Sequence, residues 1–200
     1  MSVISPVPGA TRRESPARRR IVRTAGRLFY SEGIRAVGID RIIAEAGVAK
    51  ATFYSHFPAK DDLVGVYLSG QSRRQRAAVQ EARAGGMPPG EVLLSVFESI
   101  GDLGCGPGFR GCAFINAAAE YPDPAHPVRQ VVAAHRSWFR ELLRDLLTAA
   151  AHPDVERTSA MLMLFRDGLV VGGQLDDAEE VRDLVRDAVT RLLGPAPNTS

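Results

Sequence analysis

Two cysteines in 200 residues, Cys105 and Cys112, are too few for a disulfide scaffold, and neither has ligand-like partners at zinc spacing. No metal site is expected. Long apolar runs are also missing: AMLMLF is cut by Arg166 and Asp167 before GLVV resumes, short of the ~18 residues that a membrane span needs. The leading MSVISPVPGATRRE has no apolar core followed by a small-residue cleavage site, so it reads as a disordered leader (1–14) into a cytoplasmic protein, not as a secretory signal. There is no internal repeat and no convincing alternating run for a strand, which predicts an all-α fold. The glycine-rich GCGPGFRG lacks a following Lys-Ser/Thr and a preceding strand, which argues against a phosphate-cradling loop. Glu120 with Asp123, or Cys112 with His135, form conceivable catalytic pairs but have no supporting motif. An enzyme is not expected, nor a cofactor.

What the chain does have is 45% apolar content, enough to bury roughly 70% of the surface that the unfolded chain exposes, and a charge that is segregated along its length. Residues 1–80 carry 14 Lys or Arg against 6 Asp or Glu, a net of +8, while residues 81–200 carry 11 against 17, a net of −6. A basic module joined to an acidic one is the footprint of a part that meets a polyanion and a part that does not. Merely solvated surface charge is the plainer alternative.

The basic module opens with Ser15 as a helix cap and Pro16 in the first turn, followed by Ile21, Ala25, Leu28 and Phe29 at helical spacing and a stop at Gly33. A short second helix follows Gly38, with Ile39, Ile42, Ile43 and Ala46 inward, and ends at Gly47. AGVAKATFYSHF then turns into a third helix whose Phe53 and Phe57 share one face, while Ala51, Thr52, Tyr54 and Ser55 face the other way and Lys50 and His56 flank them. This is a helix-turn-helix layout. A long fourth helix, near 60–83, carries Asp61 and Asp62 in its first turn and reaches GGMPPG at 85–90, where glycine and proline pairs end it.

LFYSEG, IDRIIAEAGV, KATFYSHF and KDDL stand at the intervals of the tetracycline-repressor (TetR) family of transcriptional regulators, and residues 17–66 resemble its N-terminal pattern. RGCAFINAAAEYPDPAHP is similar to a segment of the family's multidrug-type members. The resemblance implies a three-helix DNA-binding domain (15–66), joined by the connecting part of the fourth helix (67–84) to a helical ligand-binding and dimerisation domain (85–195), with a disordered tail at 196–200. It implies that Thr52 meets a base edge or phosphate, that Tyr54 and His56 contact phosphate, and that Lys60 is a basic partner of the DNA backbone. Lys50 and Ala51 become base-edge readers, Arg41 reaches phosphate from the second helix, and Ser55 shares the outer face. A capping histidine stacked on Phe57 and a half-buried core tyrosine are the alternatives for His56 and Tyr54. Ala49 stands where a capping Ser is frequent, at a cost of about 1 kcal/mol, Ala51 where Gly is frequent and Ile43 where Ala is frequent. The leading RR and RRR clusters are candidates for a minor-groove arm or for simple phosphate attraction.

One recognition helix makes few contacts, so such modules read paired half-sites as two-fold dimers. The last two helices, near 154–173 and 178–193, are the expected homodimer interface: Leu162, Leu164, Phe165, Leu169 and Val171 give the first of them more than one apolar face, Val181, Leu184, Ala188 and Leu192 join from the second, and Gly168, Gly172 and Gly173 permit close approach; burial within one monomer is the alternative. Phe97, Phe109, Phe114, Trp138, Phe139 and Met161, interspersed with Asn116, Glu120 and His135, suggest a pocket for a small apolar or aromatic effector, or an ordinary core. The partners expected are therefore a double-stranded DNA operator, a small molecule and a second copy of the chain, and no membrane. A redox switch through Cys105 and Cys112 is the rival to ligand sensing.

Overall fold

The computed structural model describes residues 15–194, which form nine α-helices and, among the described residues, no strand. Helix α1 (Pro16–Glu32) begins where Ser15 Oγ accepts the Arg18 N–H at 3.1 Å and Pro16 fills the first turn. Its buried side chains include Ile21, Ala25, Leu28 and Phe29, the residues at helical spacing. Helix α2 (Ile39–Ala46) ends at Gly47, whose φ of 62° is left-handed, so that the Gly47 and Val48 N–H groups turn back onto the carbonyls of Ala44 and Ile43. Helix α3 (Lys50–His56) has no side-chain cap at Ala49. It is held instead by Phe53 and Phe57, both fully buried, a placement that stabilises by about 1.5–3 kcal/mol per ring.

Helix α4 (Lys60–Ala84) starts with Asp62 accepting the Ala59 N–H at 2.9 Å and leads out of the front bundle. Behind it lie α5 (Pro89–Gly104), α6 (Ala113–Glu120), α7 (Pro127–Ala149), α8 (Val155–Leu175) and α9 (Ala178–Leu193). His126, Asp154 and Asp177 cap the last three through side-chain acceptors. Helix α5 packs on α8 and α9, and α7 packs on α4, α6 and α8. Two close approaches set this packing. A Cβ at Gly101 would lie 3.1 Å from Val185 Cγ2, and one at Gly173 would lie 3.3 Å from the Gly104 backbone.

The core divides in two, and not at the Gly/Pro break of 85–90. Phe114 and Ala117 of α6 and Val128 and Val132 of α7 belong to the front cluster with the residues of α1–α4. The rear cluster joins α5, α7, α8 and α9. The front bundle is therefore seated on the C-terminal half through shared apolar burial. The expectations for the leader at 1–14, including its arginine pair, and for the tail at 196–200 lie outside the described residues.

Candidate nucleic-acid interface and sensor cavity

The outer face of α3 presents Lys50, Ala51, Tyr54 and Ser55 to solvent, with Thr52 half-buried. Tyr54 leans edge-on against Phe53, ring centroids 5.4 Å apart, which fixes its ring and leaves 42% of the residue exposed. Ser55 Oγ donates to the Thr52 carbonyl at 2.8 Å. Lys50 Nζ pairs with Asp40 at 3.2 Å with both side chains mostly in water, a contact too weak to hold the lysine against a competing phosphate. His56 is tied inward: its Nε2 shares a 3.0 Å hydrogen bond with Ser15 Oγ, and its ring lies 6.4 Å from that of Phe57. The end of α3 is thus locked to the start of α1. Arg41 is committed as well, donating to Glu32 at 2.5 and 2.8 Å and to Glu45 at 2.9 Å, while Arg27 pairs with Glu45 from the other side. Hydrogen bonds from Arg41 hold the Glu32 carboxyl below its ordinary pKa, and those from Arg27 and Arg41 do the same for Glu45. Lys60 is half-buried with Nζ 5.9 Å from the Phe29 ring centroid, and burial lowers its pKa.

The front bundle is joined to the rear half by α6. Glu120, the last residue of that helix, accepts the N–H of Ile34 at 2.8 Å and of Arg35 at 2.5 Å, both in the α1–α2 turn. Tyr121 donates to Asp61 of α4 at 2.8 Å, and burial together with that bond raises its pKa. At the other end of α6, Tyr30 Oη of α1 donates to the Gly111 carbonyl and accepts the Arg110 N–H, each at 3.0 Å. Beside this joint lies a cavity of about 650 Å³ between α4, α5, α6, α7 and α8. Its walls include Val79, Val96, Ile100, Phe109, Phe114 and Trp138, and Tyr30, Gln71 and Ser99 supply polar atoms. The size and the mix of walls suit a small organic molecule.

Residues 21–66 match the model of bacterial regulatory proteins of the tetR family, and residues 115–195 match the tetracyclin repressor-like C-terminal domain. A TetR-family transcriptional regulator from Streptomyces coelicolor has a solved structure that superposes with a TM-score of 0.84 at 46% identity, over 88% of this chain and 94% of that one. The chain belongs to the TetR family. It is a DNA-binding, helix-turn-helix transcriptional regulator, not an enzyme. The HTH-type transcriptional regulator Rv1255c of Mycobacterium tuberculosis is 24% identical over 94% of this chain and 90% of its own length. YerO of Bacillus subtilis, another HTH-type transcriptional regulator, is 39% identical over 37% of this chain, a match that spans only 26% of YerO.

In this TetR-family regulator the structure brings four of the nine pocket residues expected from sequence to the cavity: Phe109, Phe114, Trp138 and Phe139. The other five do not line it. Phe97 is core, its ring 6.4 Å from Phe139 and 5.6 Å from Phe165. Asn116 donates to the Arg110 carbonyl, and Glu120 caps the α1–α2 turn. His135 lies behind the wall, stacked on Phe114, and Met161 points outward from α8. What sequence reading missed is the contribution of α4, which supplies Gln71, Arg74, Val79 and Ala82, and of Arg166. A signal for Arg166 existed: a charged pair inside an apolar run.

The expected dimer residues also sort differently. Leu162 and Leu169 are buried within the chain itself, Phe165 packs on Phe97, and Val181 and Leu192 lean on the rear core. Gly172 faces Val181 and Gly173 faces Gly104, so only Gly168 of the three opens outward. Of the expected residues Leu164, Val171 and Leu184 are exposed; the first two form an apolar row along α8 with Met161 and Leu175, Gly168 between them, and Leu184 joins from α9; Leu164 is 73% exposed. Ala188 is half-buried, and Val185 and Val189 form the true inner face of α9. Both thiols are free: Cys105 donates to the Ala178 carbonyl at 3.2 Å, and Cys112 accepts from Arg166 Nη2 at 3.2 Å. Among the described residues no cluster of three His, Cys, Asp or Glu is placed to hold a metal, and no helix is long and apolar enough to cross a membrane.

Proposed function

We propose that this regulator binds a palindromic operator as a homodimer in the cytoplasm and is released from it when a small apolar or aromatic molecule enters the cavity. Residues 15–66 act as the reading head, 67–84 as the connector, and 85–195 as the sensing and dimerising half. The reading rests on one observation above the others: α6 lines the cavity with Ala113 and Phe114 and grips the head with Glu120. A ligand that displaces the start of α6 would move the end that holds the α1–α2 turn, and the ligand must bind that displaced state more tightly than the DNA-competent one. Lys50, Ala51, Thr52, Tyr54 and Ser55 supply the DNA face, with Lys60 at its edge. His56 and Arg41 support that face from within their present bonds. The row at Met161, Leu164, Gly168, Val171 and Leu175 has the seven-residue recurrence of a helix-pairing seam and supports α8 as the dimer contact.

Selection of duplexes from a random pool, followed by a screen for compounds that release them, tests the reading. A palindrome is expected, with half-sites about 34 Å apart or a multiple of that. Absence of duplex binding in dilute salt would end it.

A further inference from the structure

We propose that the effector is an organic anion: an apolar body carrying a carboxylate that pairs with Arg166 inside the cavity. This rests on the cavity being the effector site, and it specifies the chemistry that the site selects.

The cavity is lined by two arginines, Arg74 and Arg166, and by no acidic residue. Arg166 is the unusual one, because only 5% of its surface is exposed. A guanidinium so far from water needs a matched counter-charge, and here the match is incomplete. The acid beside it, Asp167, is shared: its Oδ1 and Oδ2 accept from Arg136 at 3.0 and 2.8 Å, and Oδ1 also accepts from Arg166 Nη1 at 2.8 Å. Two cations on one carboxylate leave a charge of +1. The remaining partners of Arg166 are weak: the Cys112 sulfur at 3.2 Å and the face of Phe139 at 5.5 Å. Its Nε has no hydrogen-bond partner among the described residues.

A further cation, outside the lining, touches one residue of the same wall. Arg76 lies over the Trp138 ring at 4.7 Å. Buried His135 is held to a pKa of about 4, first by its burial and then by Arg166, Arg76 and Arg136, so it stays neutral and adds no further cation. A neutral apolar ligand would leave Arg166 as underpaired as before, and a cationic one would be repelled. An amphipathic acid satisfies both the apolar walls and the incompletely compensated guanidinium.

The chain's sole tryptophan, Trp138, lines the cavity, so its fluorescence reports occupancy directly. The probes are 6-phenylhexanoate and 6-phenylhexan-1-ol, titrated into the full-length protein at pH 7.5. The acid is expected to bind at least about tenfold more tightly, a difference of about 1.4 kcal/mol. Arg166→Gln should bring the ratio near one while retaining the alcohol, and Arg166→Lys and Cys112→Ser should preserve the preference for the acid. Equal affinity of the two probes in the wild-type protein, or tighter binding of the alcohol, overturns the inference and leaves the cavity reading standing. Failure of both probes to perturb Trp138 overturns the cavity reading itself, and the inference with it. A preference for the acid that survives in Arg166→Gln, or that Arg74→Gln abolishes while Arg166 is intact, also overturns the pairing with Arg166, and the second of these keeps the test decisive where Arg166→Gln folds poorly.

Discussion

Replacing His135 with glutamine probes the point where α4, α6 and α7 meet. The imidazole is 2% exposed, stacks on Phe114 at 3.7 Å with 5° between planes, and shares a 3.1 Å hydrogen bond with Ser72 Oγ. Its pKa in the folded chain is about 4, against 6.5 for the free group. The sign follows from the depressed value. Above pH 6.5 neither state is protonated at this position and the full stability is present; as pH falls, the unfolded chain binds a proton that the folded chain refuses until near pH 4. Stability is therefore lost between about 6.5 and 4. The gap corresponds to about 3 kcal/mol in all, of which about 2 kcal/mol is gone by pH 5. Glutamine can still bond Ser72 but cannot titrate, so its baseline cost cancels when each protein is compared with itself. Urea unfolding at pH 7.5 and pH 5, at one protein concentration because an oligomer's stability depends on it, should show the wild type losing about 2 kcal/mol more than His135→Gln. The other three histidines, His56, His126 and His152, are common to both proteins. Parallel losses would refute the account, and with it the view that His135, behind the cavity wall, is held neutral.

Leu164→Glu places a charge on the most exposed side of α8 while leaving its own protomer's core untouched; sedimentation should show monomers with unchanged helicity, and operator binding should fall with them. Lys50→Ala should alter the preferred operator sequence, whereas Lys60→Ala and Tyr54→Phe should weaken binding to every duplex alike. Arg41→Ala should change the slope of log affinity against log salt by far less than the ~0.9 expected per phosphate contact, since Glu32 and Glu45 already match its charge. Glu120→Ala strips the acceptor from two N–H groups of the α1–α2 turn and should cost about 2 kcal/mol in urea unfolding, with Glu120→Gln in between.

Helices were legible because each carries its own punctuation. Ser15 and Pro16 open α1, Gly47 closes α2, and paired glycines and prolines end α4 and open α5; these are local stereochemical facts that a sequence states outright. The inner face of α3 was legible for the same reason, since Phe53 and Phe57 must fall on one side. What could not be read was the partner of a side chain whose use depends on distant backbone. Glu120 looked like a pocket polar group, yet its carboxylate serves two N–H groups 86 and 85 residues away. Nor does the sequence around Arg41 announce its pairing with Glu32, which lies on another helix. On α8 the difficulty was different: a helix apolar around much of its girth does not announce which face meets its own protomer, and only burial of Leu162 and Leu169 with exposure of Leu164 and Leu175 fixes the rotation.

The shortness of α6 matters to any coupling between cavity and head. Eight residues span about 12 Å, and a helix of two turns moves as a rigid strut more readily than it bends. Its front end is pinned by the stack of Phe114 on His135, and its rear end by Glu120 on the α1–α2 turn. A planar stack at 3.7 Å tolerates little sliding, so an effector of the proposed kind pressing on Phe114 would leave it two economical options: keep the stack and the present helix position, or leave the ring and shift the helix as a whole. Two discrete positions of a strut bonded to the front bundle are what the proposed release would require, and they would place its energetic threshold at an aromatic contact instead of at the DNA surface.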